Sequence, residues 1–364
     1  MRAPLKTAWF DYELPATAIA QHPAEPRDAA RLLVDRGPAT PADHHIVRDL
    51  PDLLQPGDLV VVNDTKVLPA RLHLVKATQG AVEVLLLEPT GHHRQWRALV
   101  RPGRRVKAGT ELFVPGATDE APVVVVDDVL DDGRRVVTVH DDDLMTRVGE
   151  MPLPPYITEP LDDPDRYQTV FAREPGSVAA PTAGLHLTDE VLRRLADRGV
   201  DIARVELRVG LGTFRPISTD EVADHTMHTE QYRVEPDTWE RIRGARRVVA
   251  VGTTVVRTLE SVAATGALSG DTSLFISRGY PWQVVDVLMT NFHVPRSSLL
   301  VLVDAFMGDR WRALYDTAIA EGYRMLSFGD AMLIERESIE RESIEHESIE
   351  RQPSERESTQ EPDA

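Results

Sequence analysis

The sequence predicts an α/β fold that is interrupted by an antiparallel all-β unit and followed by a disordered tail. Strands alternate with helices in residues 1–68 and 151–334, whereas short β-rich runs follow one another without a helix in residues 69–150. The first pattern is typical of an α/β sheet, and the second is typical of a small barrel or sandwich. Residues 335–364 contain charged pentads such as ERESI, whose period fits neither a helix nor a heptad, so we expect a disordered tail.

Composition excludes several classes of protein. The chain of 364 residues is long enough for two domains with real cores. Because cysteine is absent, disulfides, thiolate metal sites and cysteine nucleophiles are excluded. We see no leader and no apolar run long enough to span a bilayer, which predicts a soluble cytoplasmic protein without a membrane partner. The net charge of −18 argues weakly against a nucleic-acid partner, although a local basic patch can still bind RNA.

The first 68 residues contain two strand candidates. Arg31–Val34 is a short apolar run, and a Pro-Gly-Asp turn introduces the β-branched run Leu59–Val62. Asn63–Lys66 follows at the carboxyl end of that run, where ligands bind in open α/β sheets. An Asx-stabilised turn explains the same four residues equally well.

The predicted all-β unit carries a basic strip. Its strands are expected at Val82–Leu87, Ala98–Arg101, Glu111–Val114, Val123–Val126 and Arg135–His140. Six cations surround Trp96 with no acid among them, namely Arg94, Arg97, Arg101, Arg104, Arg105 and Lys107. Cations beside an aromatic ring suit contact with an RNA backbone and stacking on its bases. A solvated strand face is the alternative interpretation.

Strands and helices alternate after the stiff segment Met151–Pro155, which we expect to cross between domains. The predicted elements are a helix at 188–198, a strand at Ile202–Val209, a helix at Trp239–Arg247, a strand at Arg247–Val251, a helix at Val255–Ala264 and a strand at Val284–Met289. If the sheet is mostly parallel, the carboxyl ends of the three strands converge on one rim.

The segment Ser177–Thr188 has the composition of a binding loop. Small residues surround His186, and Gly184 permits a turn or a close approach by a ligand. Thr188 is an N-cap candidate for the helix that follows, and helix N-termini receive anions. A tight turn with a surface histidine is the alternative.

Other constellations in the second half are weaker. Gly210-Leu-Gly212 and Gly252-Thr-Thr254 follow predicted strands and favour a small-molecule pocket, but neither completes a phosphate-binding fingerprint. His225 and His228 invite a metal interpretation, yet alternation through Met227–Val234 predicts a strand that puts them on opposite faces. We therefore expect no metal site, and no serine lies in a nucleophile elbow.

Taken together, these segments resemble the S-adenosylmethionine:tRNA ribosyltransferase-isomerase family of queuosine synthesis. The resemblance covers about residues 5–334 without large gaps. The segments that carry it are Phe10–Pro15, Pro56–Leu72, Met151–Ile157, Tyr167–Val170, Ser177–Thr188, Val251–Thr254, Thr290–Pro295 and Phe328–Met332. Two features depart from the family pattern, namely Ser277-Arg278-Gly279 in place of a proline-glycine turn, and the pentad tail.

The resemblance implies a mixed-sheet α/β domain (1–68 and 151–334) with an inserted β-barrel (69–150). It also implies a reaction in which the ribosyl unit of S-adenosylmethionine moves onto 7-aminomethyl-7-deazaguanine at the tRNA wobble position and is rearranged. Adenine and methionine leave, and epoxyqueuosine-tRNA forms. S-Adenosylmethionine is then a substrate, with no prosthetic group, and a monomer is the working expectation.

Within the matching motifs we assign roles by residue type. His186 is the expected general acid/base, because imidazole titrates near neutrality. Thr182 and Thr213 are expected hydroxyl donors, and His293 is a second proton carrier. The S-adenosylmethionine pocket is expected to contain Gly210, Gly212, Gly252, Thr253 and Thr254, with Arg257 facing the ligand's carboxylate. The RNA candidates are Arg31, Lys66, Arg71, Arg101 and Arg104.

Two rival functions remain open on the residues alone. One is an S-adenosylmethionine-dependent RNA methyltransferase, which uses the same ligands for different chemistry. The other is a non-catalytic RNA-binding protein with a barrel like the OB-fold.

Overall fold

The computed structural model describes residues 4–117, 121–210 and 216–336. In chain order its strands are β1 (Arg31–Asp35), β2 (Asp43–Ile46), β3 (Asp58–Asn63), β4 (Thr65–Val67), β5 (Arg71–Lys76), β6 (Ala81–Pro89), β7 (Gln95–Arg101), β8 (Glu111–Phe113), β9 (Val124–Val129), β10 (Arg135–Val139), β11 (Gly149–Glu150), β12 (Glu174–Ser177), β13 (Asp201–Leu207), β14 (Glu230–Arg233), β15 (Arg247–Val251), β16 (Ser269–Thr272), β17 (Val287–Asn291) and β18 (Ala331–Glu335). The helices are α1 (Leu50–Leu53), α2 (Leu144–Val148), α3 (Asp189–Asp197), α4 (Pro236–Gly244), α5 (Thr253–Thr265), α6 (Ser298–Met307) and α7 (Arg310–Ala320).

A mixed sheet of nine described strands forms the larger body, in the order β16-β14-β13-β3-β15-β17-β18-β1-β2. Its centre, β13-β3-β15-β17, is parallel, and the outer pairs include antiparallel partners. All six residues of β3 are buried, as expected for a strand covered on both faces. The parallel centre brings the carboxyl ends of β13, β15 and β17 to one rim, which confirms that prediction.

Helices cover both faces of this sheet. Val191 and Leu195 of α3 pack on one face, whereas α4, α5, α6 and α7 contribute to the core on the other. The side chain of Thr188 accepts a hydrogen bond from Val191 N–H at 3.2 Å, so the predicted N-cap of α3 is confirmed. The predicted helix at Trp239–Arg247 instead runs from Pro236, because proline fits the first helical turn, and it ends before β15 begins.

The second large sheet is antiparallel and closes into a barrel. Its order is β11-β5-β6-β7-β10-β9-β8, and a further pairing of β5 with β8 completes the closure. Leu72, Val84, Val100 and Val137 are among the buried residues that fill its interior. The barrel, rather than the sandwich, is the form observed, and it lies between β4 and β12 in the chain. The exact domain boundaries at residues 69 and 150 stay a prediction.

The structure shows the local conformation at three places that the sequence singled out, namely Asn63, Ser277–Gly279 and the start of the predicted tail. Asn63 Oδ1 accepts a hydrogen bond from Thr65 N–H at 3.2 Å, which is the Asx-turn alternative. Ser277–Gly279, where the sequence departs from the family pattern, forms a turn. In it, Arg278 donates two hydrogen bonds of 2.5 Å to the buried Asp304. Glu335 ends β18 and so belongs to the sheet rather than to the predicted tail. Residues 337–364 of that tail lie outside the described residues.

Candidate active site

A cavity opens at the carboxyl ends of β15 and β17. Its space free of protein atoms is about 600 Å³, including the solvent at its open mouth. The described residues that line it are Tyr156, Ala180–Ala183, Val209, Gly252–Thr254, Thr290–Val294, Ser297, Leu299, Leu326 and Ser327. No Asp, Glu, Lys or Arg is among these residues, so the described lining is formed by hydroxyls, amides, apolar groups and one histidine.

Two close approaches shape the wall formed by the predicted binding loop. Residues Thr182–His186 form a 3₁₀ turn that packs against β17. A Cβ on Gly184 would lie 2.9 Å from the ring of Phe171 and 3.1 Å from Thr169, so only glycine fits there. On the opposite wall, Gly252 has a φ of 94° and turns the chain from β15 into α5. Glycine at both positions is therefore explained by geometry.

The side-chain amide of Asn291, at the end of β17, links the binding loop to the residue before β18. Its Oδ1 accepts a hydrogen bond from Thr182 Oγ1 at 2.8 Å. Its Nδ2 donates to His186 Nε2 at 3.0 Å and to the carbonyl of Asp330 at 3.3 Å. Because Nε2 of His186 accepts this bond, the ring proton lies on Nδ1. The sequence reasoning missed Asn291, although a polar side chain ending a buried strand was the signal that could have found it.

His186 lies behind Asn291 and is not part of the described cavity lining. Burial, together with the smaller effect of the positive charges of Arg324 and Arg27, lowers the pKa of its imidazole to about 3. The expectation that His186 titrates near neutrality is therefore wrong, because its ring has lost the solvent that stabilises the charged form. At pH 7 it is a neutral group that holds the Asn291 amide.

His293 does line the cavity, and two tyrosines fix its backbone. Its amide N–H donates to Tyr315 Oη at 2.9 Å, and its carbonyl accepts from Tyr12 Oη at 2.6 Å. Its Nε2 lies 3.1 Å from Thr290 Oγ1. Burial lowers the pKa of this imidazole to about 3 as well. Burial therefore keeps both candidate histidines neutral.

Arg257 is not where its predicted role requires it. Its buried guanidinium forms an ion pair with Glu230 and donates to the carbonyls of Thr272 and Leu274. The other oxygen of Glu230 accepts from the amide of Gly210 at 2.9 Å. Arg257 is thus absent from the described cavity lining, and its visible contacts hold the end of β13. Gly212 and Thr213 lie outside the described residues.

The comparisons with known proteins agree with this architecture. A family model described as "Queuosine biosynthesis protein" matches residues 7–334. The chain belongs to that family. A protein named S-adenosylmethionine:tRNA ribosyltransferase-isomerase from Desulfitobacterium hafniense is 49% identical over 345 residues, which cover 91% of this chain and 100% of that protein. The protein of the same name from Rubrobacter xylanophilus is 50% identical and is covered to 98% of its length, again over 91% of this chain.

A solved structure of a related protein supports the fold described for this member of the family. The crystal structure of S-adenosylmethionine tRNA ribosyltransferase from Thermotoga maritima has 38% sequence identity and a TM-score of 0.52. The match covers 89% of this chain and 99% of that one. The family resemblance and the mixed sheet with an inserted barrel, both predicted from the sequence, are confirmed.

The candidate RNA-contacting cations of this family member divide into exposed and engaged groups. Lys66, Arg101 and Arg104 are exposed, and Arg101 comes only within 4.0 Å of its acidic neighbour. Arg31 instead stacks 3.7 Å above the ring of Tyr323, and Arg71 donates to a carbonyl of the Met151–Pro155 segment. The guanidinium groups at these last two positions hold the fold together, and their role as RNA contacts stays a prediction.

The basic strip of the barrel is also less uniform than the sequence suggests. Arg94 pairs with Asp142, and Arg97 pairs with Glu88, acids that lie outside the strip in sequence. In the described ranges, no three His, Asp or Glu side chains stand close enough together to hold a metal ion. Within the same ranges, no helix is both long enough and apolar enough to cross a membrane.

Proposed function

We infer that this chain transfers the ribosyl moiety of S-adenosylmethionine to tRNA and isomerises it, as a transferase of queuosine biosynthesis. The observation that carries this inference is the family match over residues 7–334, together with relatives of about half identical sequence that bear that enzyme name over their whole length. These names support the transferase-isomerase over the two rival functions, the methyltransferase and the non-catalytic RNA-binding protein.

The acceptor that we propose is 7-aminomethyl-7-deazaguanine at the tRNA wobble position. The products are epoxyqueuosine-tRNA, adenine and methionine, and a cytoplasmic monomer is part of the same proposal. S-Adenosylmethionine is a consumed substrate and not a resident cofactor. The cavity at the ends of β15 and β17 is its proposed site, because it is lined by hydroxyls and amides that suit a ribose and an amino acid.

The reaction needs a base near the sulfonium, a proton donor to the departing adenine, and exclusion of water. We propose that His293, which lines the cavity as a neutral imidazole, accepts a proton during the reaction, and that Thr182 and Asn291 contact the ligand. His186 then acts through Asn291 as a positioning residue, since its ring reaches the cavity only through that amide. Thr213 stays a proposed hydroxyl donor.

The tRNA would approach from the side of the exposed cations. Lys66, Arg101 and Arg104 are exposed, so their charges can meet phosphate groups, and phosphate contacts supply most of the affinity of such complexes. Arg105 and Lys107 are exposed next to them and extend the same surface.

One assay separates the candidate functions. The protein is incubated with S-adenosylmethionine and tRNA that bears the deazaguanine base, and the small products are separated by chromatography. Release of adenine and methionine in equal amounts is the expected result. Release of S-adenosylhomocysteine would show methyl transfer instead, and binding of the tRNA without any product would support the non-catalytic function. Unmodified tRNA is the control, and it should yield neither product.

A further inference from the structure

We propose that the N-terminal turn of α5, together with the hydroxyl of Thr254, binds the carboxylate of S-adenosylmethionine. The proposal rests on the function inferred above, and it replaces Arg257 with a different carboxylate-binding group. Three features of the described residues carry it, namely an open helix terminus, an unpartnered buried hydroxyl and the absence of charged side chains from the cavity wall.

The first feature is the start of α5. Gly252 precedes the helix and has no side chain with which to cap it. The amides of Thr253 and Thr254 belong to the first turn, where no carbonyl of the helix can accept from them. α5 is 13 residues long, and its dipole adds a partial positive charge at this end. These amides border the cavity, so they are available to an anion.

The second feature is the hydroxyl of Thr254. The residue is only 8% exposed, and its buried hydroxyl has no hydrogen-bond partner in the described structure. The hydroxyl oxygen lies 3.5 Å from the point that a Cβ on Gly252 would occupy, so it faces the open corner of the turn. A buried hydroxyl without a partner destabilises the free protein, because it has lost its hydrogen bonds to water. A carboxylate bound at this turn would accept its proton and remove that destabilisation.

Neighbouring hydroxyls show that this is a particular property of Thr254. Thr258, one turn later in α5, donates to the carbonyl of Thr254 at 3.0 Å. Ser297, at the start of α6, accepts from the amide of Leu300 at 3.2 Å and so caps the other helix that begins at the cavity. Both groups are satisfied within the protein, whereas Thr254 and the start of α5 are not.

The third feature is electrostatic. The described lining contains no lysine or arginine that could pair with a carboxylate. Arg257 lies one helical turn from Thr254, but its guanidinium is paired with the buried Glu230. The donors that this wall offers to a carboxylate are therefore amide and hydroxyl dipoles. A dipolar site avoids the cost of burying a permanent cation when the site is empty.

The test compares S-adenosylmethionine with its decarboxylated analogue, S-adenosyl-3-methylthiopropylamine. Binding is measured by calorimetry, and adenine release is measured with the modified tRNA. The variants are Thr254→Val, which keeps the shape and removes the hydroxyl, Thr254→Ser, which keeps the hydroxyl, and Thr258→Val as the matched control on the same helix.

We expect Thr254→Val to raise the Kd for S-adenosylmethionine about tenfold and to leave the Kd for the analogue unchanged, as the loss of one charge-assisted hydrogen bond requires. Thr254→Ser should restore most of the affinity, and Thr258→Val should not alter the preference between the two ligands. Thr254→Val should also raise the melting temperature of the free enzyme, because it removes an unsatisfied buried group. An equal loss of affinity for both ligands, or none for either, would overturn the proposal. A wild-type protein that binds S-adenosylmethionine but releases no adenine would count against the proposed function instead.

Discussion

The cavity at the strand ends and the barrel turn at Arg101–Arg104 differ in the charge that they present to their proposed ligands. The described cavity lining has no permanently charged side chain, and its histidine is held neutral by burial. The barrel turn instead exposes Arg101 and Arg104 to solvent. Beneath it, the buried guanidinium of Arg135 donates to the carbonyl of Gly103 at 2.6 Å and holds the turn in place.

This difference follows from the cost of desolvation. A permanent charge inside a cavity must give up its water, whereas a charge on an exposed turn keeps most of it. Oriented dipoles in the cavity can therefore bind a small ligand that is itself charged. Solvated cations on the exposed turn can bind the many phosphates of an RNA. Substitutions in and next to the cavity should therefore change stability and catalysis, whereas substitutions on the barrel turn should change tRNA binding.

The largest effect should come from the buried ion pair next to the cavity. Arg257→Met leaves the carboxylate of Glu230 in a buried position without its cation, so we expect a loss of about 3–5 kcal/mol in the free energy of unfolding. Urea denaturation measures this loss. The double variant Arg257→Met/Glu230→Met should recover much of it. A single variant as stable as the wild type would show that the pair is not what fixes the end of β13.

The next effect concerns the side-chain amide of Asn291, which holds the binding loop. Asn291→Leu removes the partners of Thr182 and His186, and we expect kcat/KM for adenine release to fall about 100-fold, the scale for a positioned donor in an active site. Asn63→Leu is the matched control, because Asn63 also ends a buried strand and bonds to the backbone of Leu207. The control should lose stability but keep kcat/KM within about threefold. Similar losses of kcat/KM in both would make Asn291 merely structural.

An effect that is smaller for each residue involved should appear as a dependence of stability on pH. His186 and His293 have pKa values of about 3 in the folded protein, below the ordinary value of 6.5. The unfolded chain therefore binds more protons as the pH falls below about 6.5, and stability is lost from there towards pH 3. Between pH 7 and pH 5 we expect a loss of about 2 kcal/mol for each ring.

Unfolding in urea at pH 7, 6 and 5 measures this loss. His186→Gln should remove about half of the expected fall, whereas His92→Gln, at an exposed position of the barrel, should leave it as in the wild type. A wild-type stability that is flat between pH 7 and pH 5 would contradict the neutral state of the cavity histidines.

The smallest effect should come from the exterior. Arg101→Gln/Arg104→Gln should raise the KM for tRNA about tenfold and lower the slope of log Kd for tRNA against log salt by about 2, one unit for each lost phosphate contact. The Kd for S-adenosylmethionine should not change. Arg94→Gln/Arg97→Gln is the control, since both arginines are already paired with acids. Equal effects of the two pairs would remove the distinction between free and paired cations.

Local patterns in the sequence were enough for much of the architecture. β-Branched runs predicted β3 and β15, evenly spaced runs predicted the barrel strands β6 to β10 but not β5 or β11, and a threonine before an acidic turn predicted the start of α3. The helices α6 and α7 and the strand β18 were not predicted. Among these, α6 is apolar on nearly every side because it is buried, so it lacks the alternation of polar and apolar faces that marks a surface helix.

The sequence by itself determined the alternation of strands and helices around a β-rich insertion, and the family. Those properties depend on neighbours along the chain. Only the tertiary structure decided that Asn291 holds His186, 105 residues away, and that Arg257 faces Glu230 instead of the cavity. It also decided which arginines of the barrel are free. Protonation and pairing depend on burial and on partners distant in sequence, and residue type alone does not specify either.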